Sequence, residues 1–138
     1  MHNKTSICLY VVSVFLALLG CPGLSLAQVP ALDIPSIELT AGLSPKSIQQ
    51  IDALLNYHAK TITDAEGDRM QARVLAGRDG LIAAYNYYDS IQFKNAVAGQ
   101  AFEIVAPLLE TGDKLMLINV AMALAEMPAA SGRKISRR

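Results

Sequence analysis

Few side chains in this sequence are of the types that catalyse reactions or bind metal ions, and their spacing does not bring them together. His58 is the only histidine after residue 27, and one imidazole does not make a metal site, which needs several ligands. Asp52 lies six positions before it and Lys60 two positions after it, so neither shares its face of a helix. His58 therefore lacks a local partner for work as a general base.

Alternating carboxylates at Asp64, Glu66 and Asp68 have a spacing found among the oxygen ligands of calcium. An EF-hand loop that starts at Asp64 needs glycine at its sixth position and glutamate at its twelfth, where this chain has Arg69 and Leu75. We interpret the acidic residues as the start of a helix, where the helix dipole favours them. The sequence predicts no metal site, no cofactor and no catalytic residue, and an enzyme is the last of the functions that we weigh.

The first 27 residues have the layout of a secretory signal peptide. Lys4 supplies a positive charge, an apolar run follows over residues 7–19, and small residues precede a cleavage site between Ala27 and Gln28. Cleavage there leaves a mature chain without cysteine, because both cysteines precede Gln28. We expect export to the periplasm or the extracellular space, and a domain held by its core alone.

A second processing route competes with this one. Leu18-Leu19-Gly20-Cys21 resembles the lipobox of bacterial lipoproteins, in which the cysteine becomes a lipid-modified N-terminus. The alternative is therefore a small envelope lipoprotein tethered through Cys21. A membrane contact is expected only in that case or if the leader stays uncleaved, since the apolar run of 13 residues is shorter than the ~20 that span a bilayer.

Charge is unevenly distributed along the chain. Residues 28–128 contain seven Lys/Arg and twelve Asp/Glu, a net charge of −5, whereas the tail 129–138 has a net charge of +4. The acidic body and the expected export argue against nucleic-acid binding. The basic tail is predicted to be a disordered, solvated end, and contact with an anionic lipid, a polysaccharide or an acidic partner is the alternative.

The remaining sequence predicts an all-α fold. Residues 28–43 contain two prolines without helical periodicity and are predicted to be an extended linker. Apolar residues then recur at helical spacing over 44–128, which predicts a domain of about four antiparallel helices, either an α-solenoid fragment or a small helical bundle. The predicted helix starts are Ser44, Thr63 with Glu66 in a capping box, Ser90 and Asp113.

Three features of the sequence predict how these helices run and pack. One helix is predicted to run through Gly77, where a neighbouring helix can approach closely. Pro107 is predicted to kink the next helix. The last helix, residues 114–127, is apolar on almost every side. We expect the other helices to wrap it; a homodimer through this helix, or a chain that is a shortened relative of a longer array, are the alternatives.

Tyr85, Tyr87 and Tyr88 are the best candidates for a partner-binding patch. Three tyrosines within four positions cannot all face inward, so at least one is expected to be exposed. Tyrosine is favoured at interfaces because its ring is apolar and its hydroxyl is polar. The alternative is a hydrophobic cluster around the turn into Ser90.

Residues 69–128 resemble a HEAT-type (armadillo-like) helical repeat segment. The resemblance rests on AGRDGLI at 76–82, SIQFKNA at 90–96, APLL at 106–109 and LINVAMALA at 117–125, and it covers about half of the chain. It implies a scaffold that binds other macromolecules through a helical surface, with no catalytic residues. We therefore expect an exported, non-catalytic binding or scaffolding module of the bacterial envelope, whose partner is another protein or a second copy of the chain.

Overall fold

A computed structural model describes residues 28–110 and 113–127 of the chain. The predicted signal peptide with Ala27, the predicted lipidation site Cys21 and the basic tail 129–138 lie outside the described residues. Within the described ranges the backbone is mostly helical and contains no strand. This confirms the predicted all-α fold.

Within the described residues, five α-helices pack together as a small bundle. Two short 3-10 turns, at Gly67–Arg69 and Ala106–Glu110, connect successive helices. We number the helices in chain order: α1 is Ser36–Ala41, α2 is Pro45–Thr63, α3 is Met70–Tyr85, α4 is Ile91–Val105 and α5 is Lys114–Glu126.

Three helix starts lie where the sequence predicts them, because a side-chain oxygen caps the first turn. Ser44, Ser90 and Asp113 each accept a hydrogen bond from the backbone N–H three residues later, at 3.3, 3.4 and 3.0 Å respectively. Each bond satisfies an N–H that has no partner within its own helix. The caps therefore define where α2, α4 and α5 begin.

The predicted helix start at Thr63 is wrong. Thr63 is the last residue of α2, and its hydroxyl donates a hydrogen bond to the Lys60 carbonyl at 3.1 Å. The chain then turns at Gly67, whose φ of +63° lies in the left-handed region that favours glycine. A 3-10 turn follows and α3 begins at Met70, so the capping-box pattern spans the end of one helix and the turn after it.

Residues 28–43 pack onto the bundle, in contrast to the extended linker that the sequence predicts. Leu32 and Ile34 are buried in the core, and α1 occupies part of the segment. The backbone N–H of Asp33 donates a hydrogen bond to Gln50 Oε1 on α2 at 2.9 Å. Burial of two apolar side chains at alternate positions stabilises the segment, although the sequence has no helical period there.

α3 is the central helix of the bundle. It packs against α2, α4 and α5, and its contact with α2 is the most extensive in the described fold. It runs without a break through Gly77 and Gly80, as predicted. At Gly77 the two helices are so close that an added Cβ would overlap Ile62 and lie 2.9 Å from the His58 carbonyl oxygen.

Pro107 changes the type of helix where a kink is predicted. α4 ends at Val105, and the chain continues as the 3-10 turn that contains Pro107. Proline has no N–H and its ring opposes the carbonyl four residues earlier, so the α-helical ladder stops before it. This turn packs against both α4 and α5 and so links them.

Among the described residues, the other helices cover α5 on one side only, which corrects the expectation that they wrap it. Val120 and Ala123 are buried where α5 packs on α3 and on the turn at Ala106–Glu110. Ile118 and Met122, on the opposite side, are 59% and 48% exposed. The central position belongs to α3 because its glycines allow the closest approach of a neighbour.

A buried polar contact joins α3 to α5. Asn119 is 4% exposed, and its side-chain oxygen accepts a hydrogen bond from Arg78 Nη1 at 3.1 Å. Its amide nitrogen donates to the Leu115 carbonyl at 2.8 Å, and Arg78 also pairs with Asp79 at 2.7 Å. Turning α5 about its axis would break the hydrogen bond to Arg78 and expose Val120 and Ala123, so this contact and the apolar burial beside it favour the observed orientation of α5.

Gly77→Ala is expected to destabilise the fold by about 1–3 kcal/mol, although alanine is the better helix former. The added methyl group would meet Ile62 and the His58 carbonyl, and a helix backbone cannot move aside at low cost. Urea unfolding followed by circular dichroism measures the change.

The matched control is Gly99→Ala in α4, where an added Cβ meets nothing within 4 Å. This variant should gain about 0.5–1 kcal/mol of stability, because alanine loses less conformational entropy than glycine in a helix. Equal stabilisation by the two substitutions would show that α2 and α3 are not in close contact at Gly77.

Candidate binding cleft

An apolar cleft of about 420 Å³ lies between residues 29–32, α2 and α3. Its lining residues are apolar side chains and one glycine, except for His58 on α2 and Tyr87 just after α3. No lysine, arginine, aspartate or glutamate of the described chain lines it. We call this site the Tyr87 cleft.

His58 supplies the polar group on the α2 side of the Tyr87 cleft. Its imidazole is partly buried and packs edge-on against Tyr57, with 5.2 Å between the ring centroids. Burial disfavours the charged imidazolium and lowers the pKa of His58 below its ordinary value of 6.5. The ring is therefore neutral at pH 7 and can both donate and accept a hydrogen bond.

Gly80 on α3 makes room for this imidazole. A Cβ added at Gly80 would overlap the ring of His58. Gly77 lies one helical turn earlier and receives the backbone of α2 at the same residue. The two glycines therefore determine how deep the cleft is and where its histidine sits.

The structure separates the three tyrosines of the predicted patch. Tyr85 is buried at 7% exposure, and Lys94 Nζ lies 5.9 Å from the centre of its ring. Tyr87 is 56% exposed and lines the cleft. Tyr88 is partly buried between Tyr87 and Phe93, with ring centroids 4.9 and 5.1 Å apart. Of the three, Tyr87 offers the most surface to a partner.

Tyr88 positions one wall of the cleft. Its hydroxyl accepts a hydrogen bond from the backbone N–H of Ile34 at 3.3 Å and donates one to the carbonyl of Leu32 at 3.5 Å. These bonds tie the first described residues of the chain to the end of α3. Tyr88 therefore has a structural role in holding the segment that lines the Tyr87 cleft.

A hydrogen-bonded carboxylate holds α1, which follows the cleft wall in the chain. Glu38 Oε2 accepts hydrogen bonds from Ser47 Oγ at 2.6 Å and from the backbone N–H of Ser44 at 2.9 Å. These bonds, with that from Ser47 the stronger influence, hold the pKa of Glu38 below its ordinary value. The Leu39 carbonyl accepts a further bond from Ser90 Oγ at 2.6 Å. The segment 28–43 is thus tied to both α2 and the start of α4.

The acidic and histidine side chains of the described residues are spread over the fold. In the described ranges, no group of three His, Cys, Asp or Glu side chains is placed to hold a metal ion. Asp64, Glu66 and Asp68 are exposed around the turn between α2 and α3. Over 28–110 and 113–127, no helix combines the length and the apolar character that crossing a membrane requires.

The chain was compared with family models, curated proteins and solved structures. No family model, no curated protein and no solved structure matches the chain.

The sequence predicts Tyr87 as a contact residue, and it does not predict the cleft wall at residues 29–32. The wall at 29–32 belongs to a segment predicted as a linker, and no charged residue lies three or four positions from His58. The available signal is the alternation of apolar residues at Leu32 and Ile34, which suits an extended segment with one buried side. Which helix such a segment covers depends on tertiary packing.

The lowered pKa of His58 makes stability depend on pH. The unfolded chain takes up a proton near pH 6.5, whereas the folded chain takes it up only at lower pH. The free energy of unfolding should therefore be greatest above that value and decrease as the pH falls through it. Urea unfolding at a series of pH values from about 7.5 to 5.5 measures this dependence.

His58→Gln is the comparison variant, because glutamine keeps a polar side chain and does not titrate. Its free energy of unfolding should change less over the same pH range than that of the parent protein. Equal pH dependence in the two proteins would contradict a buried, neutral His58.

Proposed function

We propose that this chain is an exported, non-catalytic helical module that binds an apolar segment of a partner protein in the Tyr87 cleft. The observation that carries the proposal is the ring of Tyr87, 56% exposed at the edge of a cleft that no charged side chain of the described residues lines. Tyrosine is one of the residue types that most often dominate binding energy when a partner buries them at a protein interface.

The ring of Tyr87 is oriented before any partner binds. It packs edge-on against Tyr88, and Tyr88 is itself held by hydrogen bonds to Leu32 and Ile34. A side chain that is already ordered loses little conformational entropy on binding. The phenol can bury its ring against a partner while its hydroxyl keeps a hydrogen bond to water or to the partner.

The lining favours an apolar protein segment over an ionic ligand. A charged ligand would lose its hydration in the cleft and find no opposite charge there. The volume of about 420 Å³ lies in the range typical of ligand sites, roughly 300–1,000 Å³. Val29, 52% exposed at the cleft, extends the apolar surface, and His58 can hydrogen-bond the backbone of a bound segment.

The resemblance of residues 69–128 to HEAT-type repeats supports the same class of function. Proteins of that kind bind other macromolecules through the surfaces of packed helices. Of the elements that line the Tyr87 cleft, α3 and Tyr87 lie within residues 69–128. A scaffolding role in the bacterial envelope is consistent with a domain that positions a partner without acting on it.

Tyr87→Ala is expected to weaken partner binding by about tenfold or more, a loss of at least about 1.4 kcal/mol, because it removes the exposed ring from the cleft edge. Helix content should stay the same, since the side chain is largely outside the core. The measurement is a binding isotherm for a partner recovered by affinity capture and for a short apolar peptide derived from it.

Two further variants make this result specific. The chain has no tryptophan, so Tyr87→Trp gives a single fluorescent reporter whose emission should shift to the blue when the peptide binds. Ile91→Ala changes a residue that is 73% exposed and does not line the cleft, and it should leave affinity unchanged. Equal affinities for the parent protein and Tyr87→Ala would contradict binding in the cleft.

Export through a cleaved leader is the second part of the proposal, and tethering through Cys21 is its alternative. Gln28, the expected first residue of the mature chain, is exposed and directly precedes the cleft wall. The intact mass of the exported protein should correspond to a chain that begins at Gln28. A lipid-modified Cys21 at the N-terminus would contradict free secretion and identify a lipoprotein.

A further inference from the structure

The outer side of α5 carries one row of side chains with opposite charges at its two ends. Lys114, Ile118, Met122 and Glu126 follow at four-residue steps and form a single ridge along the helix. All four side chains are exposed, including 59% of Ile118 and 48% of Met122. The ridge is therefore positive at its start, apolar in the middle and negative at its end.

A shallow row runs beside this ridge. Ala121 and Ala125 are exposed and lie one helical turn apart. No charged residue lies between Lys114 and Glu126 in the sequence. The hydrogen bond from Arg78 to Asn119 and the burial of Val120 and Ala123 hold this apolar side of α5 outward.

We propose that this face of α5 binds the same face of a second copy of the chain, with the two helices antiparallel. The ridge is symmetric about residue 120: Ile118 and Met122 are two positions from it, and Lys114 and Glu126 are six positions from it. A two-fold axis on the outer side of α5, level with residue 120 along the helix, places Ile118 against the partner's Met122. It also places Lys114 beside the partner's Glu126, and symmetry repeats both contacts.

Helix packing rules fit this arrangement. Rows at four-residue steps are inclined to the helix axis, and two helices whose rows interdigitate cross at about −50°. The ridge of one copy then lies over the shallow row of the other, where Ala121 and Ala125 leave space for Ile118 and Met122. The small side chains let the two backbones approach.

The charges favour a second copy in this orientation over other occupants. A parallel pair would place lysine beside lysine and glutamate beside glutamate. In an antiparallel pair each end of the ridge meets the opposite charge of the second copy. In the described part of the chain, Lys114 and Glu126 form no ion pair of their own, so both are available. α5 has 13 residues and is about 20 Å long, so the interface is small and the dimer is expected to be weak, with a dissociation constant in the micromolar range.

Sedimentation velocity on the purified protein at concentrations from about 1 to 300 µM tests the proposal. The parent protein should shift from monomer to dimer over that range. Ile118→Glu and Met122→Glu should each leave a monomer at all concentrations, and their exposure means that the fold should be unchanged by circular dichroism. The matched control is Ile91→Glu, which changes a residue 73% exposed on α4 and should dimerise like the parent protein.

Charge exchange tests the antiparallel orientation. Lys114→Glu alone or Glu126→Lys alone should raise the dissociation constant by about tenfold, because each creates two repulsive pairs in the dimer. The double variant, Lys114→Glu with Glu126→Lys, should restore the affinity of the parent protein. Both single changes suit the helix dipole, so loss of the dimer would not reflect loss of the helix.

A parent protein that stays monomeric throughout the concentration range would overturn the proposal, as would a double variant no tighter than the single ones. Capture of a different protein by α5 without self-association would also overturn it. α5 contributes no residue to the Tyr87 cleft, so this outcome and the outcome of the cleft experiments are independent of each other.

Discussion

The close contact of α2 with α3 at Gly77 and Gly80 determines how the rest of the chain is arranged. Without side chains at these positions, the backbone of α2 packs directly on α3, and the ring of His58 occupies the space where a Cβ of Gly80 would lie. Each glycine costs about 1 kcal/mol of helix stability relative to alanine. That cost is offset by the burial of apolar side chains on the two helices, such as Leu55 on α2 and Leu81 on α3.

The binding cleft is a consequence of that contact and of the segment that lies across it. Because α2 and α3 are so close, the groove between them is shallow, and it becomes a cleft only where residues 29–32 add a third wall. Tyr88 holds that wall through two backbone hydrogen bonds and leaves its neighbour Tyr87 exposed. Two adjacent tyrosines therefore have different roles, one in the fold and one on the surface.

Local signals in the sequence predict the helices well and their partners poorly. Ser44, Ser90 and Asp113 cap helices as predicted, because a cap depends only on residues within one turn. The cleft wall and the open side of α5 depend on contacts between residues far apart in the chain. Hydrophobicity alone predicts that α5 is the central helix. The central helix is α3, whose glycines let α2 approach closely. The buried residues of α5 are Asn119, Val120 and Ala123, and a polar asparagine among them gives no hydrophobic signal for the inner side.

A nuclear Overhauser measurement between His58 and Gly80 tests the contact of α2 with α3 most directly. If the imidazole of His58 occupies the space beside Gly80, its ring protons lie within a few ångströms of the Gly80 α-protons. We predict a strong cross-peak between the Hε1 proton of His58 and an α-proton of Gly80. Its absence in an assigned spectrum of the folded protein would contradict the contact on which the cleft and the arrangement of the helices depend.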